Sequence, residues 1–224
     1  MGVVTGVLNA TVQWLYWTPL AEKILSITPT TPLEEIITWL LASLPALIAV
    51  AILVAIITWV IGTIVNGAVV KLASDTIEKG HASLRESLGI SLSRLASLLG
   101  ASIVSGLLAA LGFLLFIVPG IILMAMFSLA VPVIIVEQKW CFESLGRSKK
   151  LVSKRWGKTF VLLLLIGIIF GIVGGGIGLL TTFLGAAGTI VSSLVMALVM
   201  PIMPIAITLL YYSMVARETA PPQR

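Results

Sequence analysis

Three stretches of this chain, residues 45–70, 95–136 and 159–216, contain no charged side chain at all. Charged residues make up only 10% of the sequence against 59% hydrophobic, and mean hydropathy is +1.17. Soluble domains carry about 25% charged residues, so this scarcity excludes an aqueous fold. Each uncharged run is long enough to cross the roughly 30 Å hydrocarbon core at 1.5 Å per residue. Histidine and cysteine are nearly absent too. A single cysteine, Cys141, excludes an internal disulfide and any cysteine-based metal cluster, and reads as a small side chain near the membrane surface. The only histidine, His81, stands beside Gly80 in a polar segment and reads as a loop residue, because metal sites normally need several ligands. No nucleophile–base pair is apparent. Composition therefore predicts no catalytic residue, no metal site and no cofactor.

What charge there is falls in four windows: residues 1–44, 71–94, 137–158 and 217–224. Lys and Arg crowd the last three, and Lys23 is the only basic residue of the first. By the positive-inside rule, segments 71–94, 137–158 and the C-terminus face the cytoplasm of a multi-pass cell-membrane protein. The basic residues flank apolar spans. Their expected partners are anionic lipid head groups on the cytoplasmic side rather than nucleic acid. No basic n-region precedes the first apolar residues, so no cleavable signal peptide is expected.

The predicted fold class is all-α: a polytopic transmembrane helical bundle with five spans plus an N-terminal helix. That helix, residues 3–18, is either interfacial, with Trp14, Tyr16 and Trp17 at the boundary, or a sixth span. Residues 1–44 thus form an N-terminal interfacial or extracytoplasmic region, residues 45–216 the bundle, and residues 217–224 a disordered cytoplasmic tail. Thr31-Pro32-Leu33-Glu34 is a capping box with Pro at the first helical position, and Pro45 should kink the helix that follows. Ser83 and Glu86 form a second capping box, for a helix with Leu84 and Leu88 on its apolar face. Pro119-Gly120 reads as the turn between antiparallel spans 95–118 and 121–136, the second bent by Pro132. The fourth span, from Thr159 to about Leu180, is separated by a turn at Gly185–Gly188 from the fifth, Thr189 to about Tyr212, which Pro201 and Pro204 should kink.

Two stretches stand out as candidate sites. Gly167, Gly171, Gly175 and Gly178 belong to overlapping Gly-xxx-Gly patterns, which let helices pack closely in lipid. They suggest self-association or other membrane-protein subunits as partners. Residues 141–156, CFESLGRSKKLVSKRW, form a basic amphipathic helix expected to lie on the membrane. Phe142, Leu145, Val152 and Trp156 share its apolar side, while Arg147, Lys150, Lys154 and Arg155 would contact lipid head groups.

The stretch LLFIVPGIILMAMFSLAVPVIIVEQKWCFESLGRSKKLVSKRWGKTFVLLLL resembles the membrane-domain family named after the glycerophosphoryl diester phosphodiesterase membrane domain, and related uncharacterised prokaryotic inner-membrane proteins. The pattern is a Pro-Gly turn, an apolar helix, Pro-Val, Glu, an Ala/Ser-Leu-x-x-Ser segment, basic residues and an aromatic. Here those positions are Pro119, Gly120, Pro132, Val133, Glu137, Ser144, Leu145, Ser148, Lys154 and Trp156. The resemblance covers roughly residues 50–180 and implies a six-helix membrane domain, sometimes fused to a soluble phosphodiesterase barrel. That barrel needs a histidine pair and metal-binding carboxylates, which this chain lacks. The expected function is a non-catalytic scaffold, anchor or accessory subunit for partner membrane proteins or lipids. The alternative is a transporter or lipid-translocating permease, for which helix breaks argue and the absence of ionisable groups within spans argues against.

Overall fold

The computed structural model describes residues 32–219, together with Glu22 and Leu25. The segment 3–18, the cap at Thr31 and the tail beyond residue 219 lie outside the described residues. Within them the chain is all-helical, with no strand. The helices are α1 (Leu33–Lys79), α2 (Leu84–Ser93), α3 (Leu95–Leu115), α4 (Ile117–Phe127), α5 (Ala130–Val136), α6 (Cys141–Ser153), α7 (Trp156–Val199) and α8 (Ile202–Thr219). Among the described residues five helical stretches are long and apolar enough to cross a membrane: Leu33–Lys79, Leu95–Leu115, Ile117–Val136, Trp156–Leu179 and Val191–Glu218.

The chain divides into two compact units, residues 1–62 and 63–224. Of the first, the described part is Glu22, Leu25 and the opening of α1 with Pro32 before it. Glu34 and Glu35 sit in its first turn, where the helix dipole favours anions, and the helix continues through Pro45. Ile37, Leu41, Ile48 and Ile52 are all exposed, as expected of a helix whose solvent is lipid.

The second unit holds the core, organised around α5. Val133 and Ile134 are fully buried and Ile135 nearly so; this short helix, apolar on every side, is enclosed by its neighbours. Val133 joins Leu129, Leu151, Val152, Ile207, Tyr211 and Met214 in one cluster. Ile134 and Ile135 join Val70, Leu98 and Ala101 in another. The short helix thus fills the space between α3 on one side and α6 and α8 on the other.

Proline explains why α5 is separate. A proline at 132 clashes with the carbonyl four residues earlier and has no N–H to donate, and the chain turns at Ser128–Leu129, immediately upstream. Pro119 behaves differently. It lies in the first turn of α4, where a missing N–H costs nothing. The turn expected at Pro119-Gly120 instead occurs at Phe116, whose backbone is extended (φ −163°, ψ 154°). Gly120 serves the close approach of the hairpin: a Cβ on Gly112 would meet its Cα at 2.9 Å.

The polar segment 71–94 is also more helical than its sequence suggests. α1 runs to Lys79 and stops at Gly80, whose φ of +75° favours glycine. Ser83 occupies the N-cap of α2 with extended backbone, but its side chain makes no capping bond. Leu84 and Leu88 are exposed, and the buried face consists of Ser87 and Ser91. Small side chains win here because α1 approaches closely: a Cβ on Gly67 would collide with the Ser91 hydroxyl, which donates to the Ile64 carbonyl at 2.7 Å.

α7 is helical over 44 residues, including Gly185–Gly188. A straight helix would hold Gly174 and Met196 about 33 Å apart. Yet Met196 Cε lies 3.9 Å from where a Gly174 Cβ would sit, and Trp156 and Leu163 pack against the cluster that contains Ile207, Tyr211 and Met214. The helical run therefore reverses between Gly174 and Met196, the interval in which the sequence places a turn. Helical backbone persists there because an unpaired N–H or C=O in lipid costs more than glycine's poor helix propensity.

Candidate functional site

The residues with chemistry gather at one end of the second unit, and the break between α4 and α5 sets their positions. The Ser148 hydroxyl, fully buried on α6, donates to the Met126 carbonyl at 2.6 Å and accepts the Leu129 N–H at 3.2 Å. It supplies partners for two of the backbone groups that the interruption leaves. Serine is small enough to let α6 settle against α4 and α5, and Ser144, also fully buried, shares that face. α6 packs on α3, α4, α5 and α7. Its apolar side is accordingly covered by protein, not by the head-group boundary expected from sequence. Leu145 and Val152 are buried, Trp156 is partly buried against the first cluster, and Phe142 is 75% exposed on a different face.

Seating α6 brings Arg147 to Glu137, the residue that ends α5. Arg147 Nε donates to Glu137 Oε1 at 3.0 Å, and its Nη2 lies 2.7 Å from Glu218 Oε2 at the end of α8. Glu137 also accepts from Lys139 at 2.9 Å and from the Tyr211 hydroxyl at 3.0 Å. Burial opposes ionisation of Glu137. Hydrogen bonds from Lys139, Arg147 and Tyr211 outweigh it and hold the carboxyl below its ordinary range. The hydrogen bond to Glu218 leads the influences on Arg147 and, with Glu137, raises its affinity for its proton further against the opposing burial. This pairing corrects the sequence reading of Arg147 as a head-group contact: its guanidinium is engaged within the chain.

A second polar group adjoins this one. Tyr212 donates to Glu78 at 2.5 Å and shares a 2.6 Å hydrogen bond with Ser74, both on α1. Asp75, 2% exposed, takes Lys71 and Lys79 at 2.9 and 3.0 Å. Arg94 donates to Gln138 at 2.8 Å. Gln138 has φ +54°, the left-handed conformation that commonly ends a helix and more often falls to glycine. These contacts join the segments 71–94, 137–158 and the end of α8 at one end of the unit.

Beyond the ion pairs lies a cleft of about 170 Å³ between α6 and α8, lined by Lys150, Leu151, Lys154, Arg155, Met214, Arg217 and Glu218. None of Lys150, Lys154, Arg155 and Arg217 forms an ion pair with a described carboxylate. Three of the four cations expected at lipid head groups therefore line this cleft without an ion pair to a described carboxylate, and Arg217 stands with them. Arg217 escaped sequence reading because residues 217–224 read as a tail, whereas α8 continues to Thr219.

The expected glycine packing is not made within the described residues of this chain, which leaves a second copy or another subunit as the partner that expectation names. Gly167, Gly171, Gly175 and Gly178 are exposed, and a Cβ at any of them would meet nothing within 4 Å. Among the described residues an added Cβ would collide at Gly67, Gly112 and Gly120, which belong to no Gly-xxx-Gly repeat; the one on Gly120 would strike the Phe113 ring. Cys141 sits against Gly100, and burial pushes its thiol pKa up, away from reactivity. No group of three or more potential metal ligands occurs among the described residues. Comparison with protein-family models, curated proteins and solved structures finds no match to this chain.

Proposed function

We propose that this integral membrane protein is non-catalytic and serves as an anchor or accessory scaffold, its basic end cytoplasmic and in contact with anionic lipids. The observation that carries the reading is the division of labour at that end. Glu137, Arg147, Glu218, Tyr211 and Tyr212 are engaged in fixing helices to one another. Lys150, Lys154, Arg155 and Arg217 remain available for an external anion. The joining of three basic segments at one end supports the topology read from the positive-inside rule. The resemblance of residues 50–180 to the glycerophosphoryl diester phosphodiesterase membrane domain belongs to the same proposal, as a membrane module without the barrel's chemistry.

A transporter has less support. Pro201 does interrupt the apolar run between α7 and α8, but Gly174–Gly176 stay helical and the α4–α5 break is filled by Ser148. The test is purification of the full chain in a mild detergent, with identification of bound chains and lipids. A stoichiometric partner or retained anionic lipid supports the anchor. Saturable uptake of a solute into vesicles containing only this chain would overturn it. Cysteine labelling in a Cys141→Ser background tests the orientation: probes at Gly80 and Gly146 should label from the side opposite Ala187.

A further inference from the structure

We infer that the cleft between α6 and α8 binds the phosphate of an anionic membrane lipid, and that Arg147 is a positioning residue for this site. The inference rests on the anchor reading and narrows it from a diffuse basic surface to one built pocket.

Four observations converge on that ligand. Lys150, Lys154, Arg155 and Arg217 surround one concavity without an ion-paired carboxylate among the described residues. Like charges four residues apart on a helix, as at Lys150 and Lys154, destabilise each other until an anion intervenes. Among the described residues the rim carries one carboxylate, Glu218, and Arg147 holds it at 2.7 Å, offsetting its repulsion of a phosphate. A cleft of about 170 Å³, against the roughly 10–15 Å³ that one water needs, has room for a phosphate with its ester oxygen.

The remaining lining, Leu151 and Met214, separates a lipid from free phosphate. Both are 5% exposed and give the cleft an apolar wall that inorganic phosphate does not use. Position agrees. The uncharged run of α8 ends at Ala216 and that of α7 begins at Thr159, so the cleft stands where both helices leave the hydrocarbon, at head-group depth. Arginine and lysine at that depth pair readily with phosphate, arginine through two parallel hydrogen bonds.

The test uses the full chain in neutral detergent with added phosphatidic acid or phosphatidylcholine, bound lipid being read by native mass spectrometry and folding by thermal unfolding. The parent should retain one phosphatidic acid in preference to phosphatidylcholine. The variant Lys150→Gln/Lys154→Gln/Arg217→Gln should bind it roughly tenfold more weakly or worse, the modest end of what three cations at a lipid surface contribute. A control that removes three exposed cations elsewhere, Arg85→Gln/Lys149→Gln/Lys158→Gln, should change binding less than about twofold, as expected if only cations of the cleft engage the ligand. Equal losses in both variants would overturn the cleft and leave a diffusely charged anchor standing. No preference in the parent would overturn the cleft, and absence of any co-purifying lipid or chain would remove the anchor as well. Displacement by inorganic phosphate at the same concentrations as the lipid would assign the site to free phosphate and overturn the lipid. For Arg147, the readout is rescue: Arg147→Gln should weaken binding and Arg147→Gln/Glu218→Gln should restore it. Glu218→Gln alone, which spares the Arg147–Glu137 pair, should bind at least as tightly as the parent; weaker binding there would overturn the positioning role.

Discussion

The α3–α4 hairpin and α7 beyond Lys158 are both apolar, glycine-bearing and free of charge, yet they use glycine in opposite ways. At Gly112 and Gly120 two backbones are so close that a single added carbon would collide. At Gly171 and Gly175 the same residue faces open space. In lipid an exposed glycine carries little penalty, because neighbouring acyl chains fill the groove and helix formation is enforced by the absence of water. A glycine pattern therefore permits close packing without requiring it. What demands a small residue is a partner across the gap, and that information lies elsewhere in the chain.

The comparison yields a graded series of tests by thermal unfolding in detergent. Gly112→Leu should have the largest effect, a loss of about 3 kcal/mol, because its side chain would have to displace the backbone of Gly120. Ser148→Ala should follow at about 2 kcal/mol, since it strands the buried Leu129 N–H and the Met126 carbonyl. Glu137→Gln should cost about 1 kcal/mol, reduced from the range for charged hydrogen bonds because the site is partly solvated.

Acid offers a reversible form of that third test. Glu137 has a folded pKa below its ordinary value of 4.5, so its contribution is fully present above that pH. It is lost as pH falls from 4.5 through the folded pKa, and the Glu137→Gln variant should lose that part of the dependence. Smallest of all should be Gly171→Ala, with a gain of about 0.5–1 kcal/mol from helix propensity alone. A loss there as large as at Gly112 would mean that α7 does have a partner along its glycine face.

Five spanning stretches and the windows between them were legible from charge and hydropathy, because a hydrocarbon solvent penalises every misplaced charge. Leu95–Leu115 departs from the expected span only at its end, and Pro132 correctly announced an interruption. The contents of the windows were harder to read. Leu84 and Leu88 read as the apolar face of α2, but the buried residues are Ser87 and Ser91: α1 comes so close at Gly67 that only small side chains fit between the two helices. Arg147 and Lys150 are indistinguishable as basic residues of one helix. Only the arrival of Glu137 and Glu218, from positions 10 and 71 residues away, makes one of them structural. Lys150, Lys154 and Arg155 could be picked out by charge and their neighbour Arg217 could not, since its place depends on how far α8 extends.

The Ser148 hydroxyl has a consequence for the order in which the chain is made. The span from Ile117 to Val136 leaves the ribosome before residue 148 does, and at that moment the Met126 carbonyl and Leu129 N–H have no partner within it. Hydrocarbon does not tolerate such groups. The span can therefore complete its settlement in the bilayer only once α6 has been synthesised and has folded back against it. Settlement of the third span is thereby coupled to the docking of α6, with the serine as the last piece placed.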